Sequence, residues 1–197
     1  MNEHITTSYK IITQPINEVV SIADMKNFLK LDGISADDSL VETLLIAARQ
    51  RCEEYCNIKF IDTVIEQVFD KFPTSQPNCL CFSIGNLASV TSLKYFDAGG
   101  TEQTFSSSNY IVDTYKKAGR ICLGSGVSYP SVDSGRINSV TVRYVSGFGS
   151  LAADVPDAIK HAIMLQVAYL YNHREDVVKK MSTLSEYLLN PYIAILL

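Results

Sequence analysis

The sequence predicts an α+β fold in which a helical body, built from both ends of the chain, carries an inserted antiparallel β-subdomain. Three observations lead there. The stretch from Ser21 to Phe60 has the three-and-four spacing of a helical pair, and Val155 to Asp176 reads as a third, almost wholly apolar helix. Between them lie short runs of β-branched and aromatic residues broken by Gly, Asp and Ser clusters. The expected organisation is a helical pair over 1–60, a β-rich insertion over 61–150, and a C-terminal helix and tail over 151–197 that form one unit with 1–60.

The first helix opens at Ser21, three residues before Asp24, a capping-box spacing with Asp in place of Glu. Val20 and Met25 are placed to staple that turn, and Gly33 is the expected stop. The second helix opens at Ser35 to Asp38, where acidic side chains suit the positive helix N-terminus, and ends near Asn57. Its apolar stripe is read as Leu40, Leu44, Ala47, Ala48 and Tyr55, with Glu42, Arg49, Gln50, Glu53 and Glu54 on a wet face.

Strands are expected near 63–70, 79–84, 88–97, 101–105, 109–113, 119–123 and 138–146. The clearest hairpin turns at Asp97-Ala98-Gly99-Gly100, where adjacent glycines can take positive φ. In the last strand Val140, Val142 and Tyr144 alternate against Thr141, Arg143 and Val145. Gly124 to Gly135 reads as a loop. Pro156 starts the third helix, since its missing N–H loses no bond in a first turn. From Ala158 to Tyr171 only Lys160, His161 and Gln166 are strongly polar, so burial on more than one side is expected. The apolar segment from Leu184 to Leu197 is expected to dock.

A chain of 197 residues fits one cooperative body. It is 47% hydrophobic and 19% charged, with a mean hydropathy of +0.09, which points to apolar surface that meets other chains. No run approaches the length of a membrane span, and MNEHITTSYK lacks the features of a secretory signal. The five cysteines, Cys52, Cys56, Cys79, Cys81 and Cys122, are read as free thiols of a reducing compartment. Net charge is −4 and no basic stripe is present, which argues against a protein that grips nucleic acid.

No catalytic grammar emerges. Cys79 and Cys81 form C-x-C rather than the usual zinc knuckle, and His4, His161 and His173 share no metal-binding spacing. Gly124-Ser125-Gly126 lacks the lysine of a phosphate loop, Gly147-Phe148-Gly149 lacks the third glycine of a dinucleotide fingerprint, and no nucleophile elbow occurs. The helical pair superficially suits a helix-turn-helix, but Asp37, Asp38 and Glu42 stand where base-reading residues belong. No cofactor, metal or catalytic residue is expected.

Several patches share a family pattern. They are Ser21 to Lys26, Phe28-Leu29, Leu31-Asp32-Gly33, Asp37-Asp38, Leu44 to Arg49 and Glu53 to Cys56, then Val90 to Glu102, Asn109 to Asp113, Gly119-Arg120-Ile121 and Tyr129-Pro130. Further on come Val140 to Gly149, Val155-Pro156, Ile159-Lys160, Ala162-Ile163, Tyr171 to Glu175 and Leu188 to Tyr192. In this order they resemble the tailed-phage head–tail connector (adaptor) proteins related to the connector of phage HK97, in their longer prophage form. One departure is Ile193, where relatives often place an arginine after the tyrosine.

The resemblance implies a structural virion protein of the neck, made in the host cytoplasm, without enzymatic activity. It implies a ring of about twelve copies that binds the portal and links it to a stopper or tail protein, while genomic DNA passes through the lumen without specific binding. A closed ring needs two different faces per subunit. The expected ring-interface residues are Leu40, Leu44, Arg49, Glu53, Ile159, Ile163, Val167, Leu170 and Arg174. The expected portal-binding tail comprises Leu184, Tyr187, Leu188, Leu189, Pro191, Tyr192, Ile193, Ile195 and Leu196. A monomer before assembly is the expected free state. Alternatives are a neighbouring connector role, as stopper or tail terminator, and more remotely a DNA-binding regulator or a small enzyme.

Overall fold

A computed structural model describes residues 7–31, 33–74, 78–173 and 181–195, which period-two and period-3.6 patterns sort into twelve strands and α-helices. In chain order they are β1 (Thr7–Thr13), α1 (Ile22–Leu29), α2 (Asp38–Cys56), β2 (Thr63–Phe69), β3 (Cys79–Cys81), β4 (Leu87–Phe96) and β5 (Glu102–Thr104), followed by β6 (Tyr110–Asp113), β7 (Arg120–Leu123), β8 (Val140–Ser146), α3 (Asp157–Asn172) and α4 (Thr183–Leu189). The fold is α+β. The chain separates into two units, a β unit that includes β1 and Asp62–Gly147, and a helical unit of Pro15–Ile61 with Phe148–Ile193.

The β unit stacks a five-stranded antiparallel sheet, order β1-β2-β8-β4-β5, on a three-stranded sheet, order β3-β7-β6. Strict alternation makes this possible. In β8 Val140, Val142, Tyr144 and Ser146 are buried, and in β2 the buried residues are Thr63, Ile65, Gln67 and Phe69. Their inward faces meet Leu80 and Ile121 of the smaller sheet, together with Phe72, Phe82, Leu93 and Phe105. Phe82 stacks on Tyr144 at 4.2 Å between ring centres, and Phe72 on Tyr129 at 4.3 Å. At the β4–β5 turn Asp97 Oδ1 accepts the amides of Gly99 and Thr101, both at 3.0 Å.

Two sequence expectations fail in this unit. Residues 7–13 do not belong to the helical body but form an edge strand on β2, in register from Thr7↔Phe69 to Ile11↔Ile65. Six of its seven residues are exposed, so no alternation marks it as a strand. Cys79 and Cys122 are not free thiols but a disulfide. β3 and β7 pair antiparallel with these two residues directly opposite and a Cα–Cα distance of 4.2 Å, a register invisible to spacing rules. Cys52, Cys56 and Cys81 stay thiols, outside any disulfide.

In the helical unit α1 begins as the sequence predicts, with Ser21 Oγ accepting the Asp24 amide at 3.0 Å. Its stop is Lys30, three residues before the expected Gly33. Lys30 takes the left-handed conformation, φ 58°, and the amides of Lys30 and Leu31 close onto Asn27 and Lys26. α2 is capped at its C-terminus by Asn57, φ 55°. Its buried stripe is Val41, Leu45, Ala48, Arg49, Cys52, Glu53 and Cys56, turned by one residue from the stripe expected on apolar character. Leu40, Leu44 and Tyr55 are only half-buried and Ala47 is exposed.

Two charges cause that turn. The guanidinium of Arg49 grips Glu18 with both arms, Nε–Oε2 at 2.8 Å and Nη2–Oε1 at 3.1 Å, and reaches Glu53 Oε1 at 3.2 Å. Glu53, whose side chain is fully buried, also binds Lys59 Nζ at 2.8 Å and the Phe60 amide at 3.2 Å. Every oxygen of the buried carboxylate is therefore paired, the condition under which a charge can leave water. Burial would lower the Arg49 pKa, yet its bonds and proximity to the two glutamates hold it above its ordinary value. The expected wet face of α2 is thus in part an internal ion network.

Candidate functional site

An assembly surface is built from side chains that local folding leaves outside. On α3 the side chains of Ile159, Ala162, Ile163, Gln166 and Val167 are buried against the helical core. Three predicted interface residues, Ile159, Ile163 and Val167, are therefore spent within the subunit and are not presented to a neighbour. Arg49 and Glu53 are internal for the reason given above. Leu40, Leu44 and Leu170 keep part of their surface, and Arg174 lies outside the described residues.

The C-terminal segment divides by helical phase. On α4, Ser185 and Leu189, four apart, are buried, and Ser185 Oγ donates to the Ala162 carbonyl at 3.0 Å. Tyr55 donates its hydroxyl to Asn190 Oδ1 at 2.7 Å, and the Tyr192 ring meets Phe148 edge-on. The opposite face carries Leu184, 51% exposed, and Tyr187, 72% exposed. Leu188, Tyr192 and Ile193 are half-buried, Pro191 and Ile195 are exposed, and Leu196 lies outside the described residues. Of the nine residues expected to bind the portal, Leu189 alone among those described is sealed inside.

Other exposed apolar side chains escaped sequence reading. Ile16 is 95% exposed, and Ile111, Tyr115, Ile137 and Leu151 also face solvent. Ile111 lies in β6 and the others in loops, where single apolar residues carry no periodic signal, so only the fold places them outside. The outer face of the large sheet is instead charged. Glu66 sits between Lys10 and Arg143 in register across β1, β2 and β8, with contacts of 2.7 and 2.6 Å. Its hydrogen bonds to Lys10 and then Arg143 hold its carboxyl below the usual range.

For chemistry the side chains offer little. Among the described residues no three of His, Cys, Asp and Glu converge on a metal-sized site. Burial pushes the Cys52 thiol up to about 12, the opposite of an activated nucleophile. His161 meets the ring of Phe28, and His173 stacks on Tyr169 with Nδ1 2.8 Å from the Tyr169 carbonyl.

A family model, head completion protein, matches residues 18–185, and the chain belongs to that family. Comparison with solved structures finds chains from gene transfer agent particles. A chain from the neck of the empty particle, computed with C6 symmetry, aligns with TM-score 0.78 and 18% identity over 96% of this chain and 97% of its own. A chain from the native virion gives 0.77 and 20%, covering 96% of each chain. One from the neck of the native particle, computed with C12 symmetry, gives 0.71 and 18% over 96% and 97%. At such identities these likenesses speak for the fold. No match is found among curated proteins.

Proposed function

We propose that this chain is a head–tail adaptor of a tailed-phage-like particle, of which about twelve copies close into a ring at the neck. The ring binds the portal through the C-terminal segment and receives a stopper or tail protein on another surface. One observation carries the reading. Leu184 and Tyr187 hold their surface in water from a helix whose other face is locked into the core by Ser185 and Leu189. Such residues contribute nothing to the free subunit, and aromatic and aliphatic anchors of this sort dominate interface energies. The likeness to chains from the necks of gene transfer agent particles supports a place in the neck. Leu40, Leu44 and Leu170 are the ring-contact residues that burial leaves available.

Purified protein mixed with portal and viewed by negative stain tests this. Deleting the tail would break the core at Leu189, so the discriminating variant is Leu184→Ser with Tyr187→Ser. The native protein is expected to decorate the portal with rings, and the variant to stay folded and unbound. Undiminished portal binding by the variant defeats the anchor, and failure of the native protein to bind portal defeats the adaptor reading.

A further inference from the structure

The β6–β7 hairpin ends in a tip that portal docking leaves unused. From Asp113 to Gly119 the chain reads Asp-Thr-Tyr-Lys-Lys-Ala-Gly. Tyr115 is 100% exposed, and Lys116 and Lys117 beside it are exposed as well. The tip is braced nonetheless. Asp113 Oδ1 accepts the Tyr115 amide at 3.0 Å, while its other oxygen holds Arg120 Nε at 2.8 Å. The Gly119 amide closes onto the Lys116 carbonyl at 2.9 Å, and the Lys117 carbonyl accepts the Asn86 amide at 2.6 Å. Gly119 has φ 64° and lies against Leu87, where a Cβ would come within 2.5 Å, so only glycine makes this turn. A tyrosine is thus held fully in water by a preformed turn, beside two positive charges, in a chain whose net charge is −4.

We propose that this tip is a contact for the phosphate backbone of double-stranded DNA, independent of base sequence. The proposal rests on the connector reading for where duplex is met in the particle. Lysine and tyrosine are donors that proteins use on phosphates, and lysine is depleted from protein–protein interfaces. No acidic residue lies between Thr114 and Ala118 to oppose the contact. Repetition around a ring multiplies this contact while each copy stays weak enough to slide.

The test is fluorescence anisotropy of a short labelled duplex of random sequence with the full chain, free and assembled on portal, between about 50 and 200 mM salt. The native protein is expected to bind weakly when free and more tightly when assembled. In Lys116→Ala/Lys117→Ala the slope of log affinity against log salt should fall in magnitude by roughly 2 per bound subunit, at about 0.9 per phosphate contact. Tyr115→Ala should weaken binding several-fold without changing the slope. Portal binding should be unchanged in both, which separates this proposal from the adaptor reading. Equal duplex affinity in native and lysine variants overturns it. So does loss of portal or tail-protein binding in the variants with DNA binding intact, which would mark the tip as a protein contact.

Discussion

Arg49 and Glu53 join three separate segments of the helical unit. They tie the segment before α1, through Glu18, to α2 and to the turn at Lys59 and Phe60. Removing one partner leaves a buried charge uncompensated, which typically costs about 3–5 kcal/mol, whereas an apolar pair of similar volume is often nearly neutral. Glu53→Leu strands the Lys59 ammonium and the Phe60 amide while Arg49 keeps Glu18, and is expected to lower unfolding free energy by roughly that amount; Arg49→Met with Glu53→Leu, which strands Glu18 as well, is expected to be no more stable, as read by urea denaturation. A double variant clearly more stable than Glu53→Leu alone would show that Glu18 does not depend on Arg49. Sequence reading placed both residues on a wet face because charge is ordinarily a sign of exposure. Only the positions of Glu18 and Lys59, outside the helix, reveal that these two are satisfied inside.

At the scale of elements, β2 is clamped on its outer face by the line Lys10–Glu66–Arg143, one residue from each of β1, β2 and β8. Glu66 has its folded pKa lowered, so its contribution is fully present above the ordinary carboxylate value near 4.3 and is lost as pH falls through the folded value. The stability gap between the native protein and Glu66→Gln should accordingly stay constant from about pH 7 to pH 5 and close as the pH is taken below about 4. A gap independent of pH would mean that the carboxylate charge does not brace these strands. The strands themselves were legible where one face is buried, as in Val140, Val142 and Tyr144, because alternation records burial. β1 was not, since an exposed edge strand has nothing to alternate against. The cap at Ser21 was legible because its chemistry is local, and the stop at Lys30 was not, because a lysine took the conformation that glycine favours. Tail residues were found by their apolar character, but which of them turn outward depended on helical phase against α3.

The whole molecule is two cores threaded by one chain, which passes between them four times, at 14/15, 61/62, 147/148 and 193/194. Neither core is a contiguous segment, yet each closes on its own side chains: Leu93 is fully buried in the β unit and Ile159 in the helical unit. Truncating either to alanine removes buried methyl groups and is expected to cost about 2–5 kcal/mol. If each core is its own cooperative unit, the damage stays local. Hydrogen exchange read by mass spectrometry should then show Leu93→Ala losing protection in β2, β4 and β8 while α2 and α3 keep theirs, and Ile159→Ala doing the reverse. Loss of protection throughout in both variants would instead make the chain a single cooperative body. The distinction bears on assembly, because the proposed anchor face of α4 belongs to one core and the Tyr115 tip to the other. With independent cores, Leu93→Ala should weaken the duplex contact while portal docking survives. Ile159→Ala should abolish portal docking and spare the duplex contact of the free subunit.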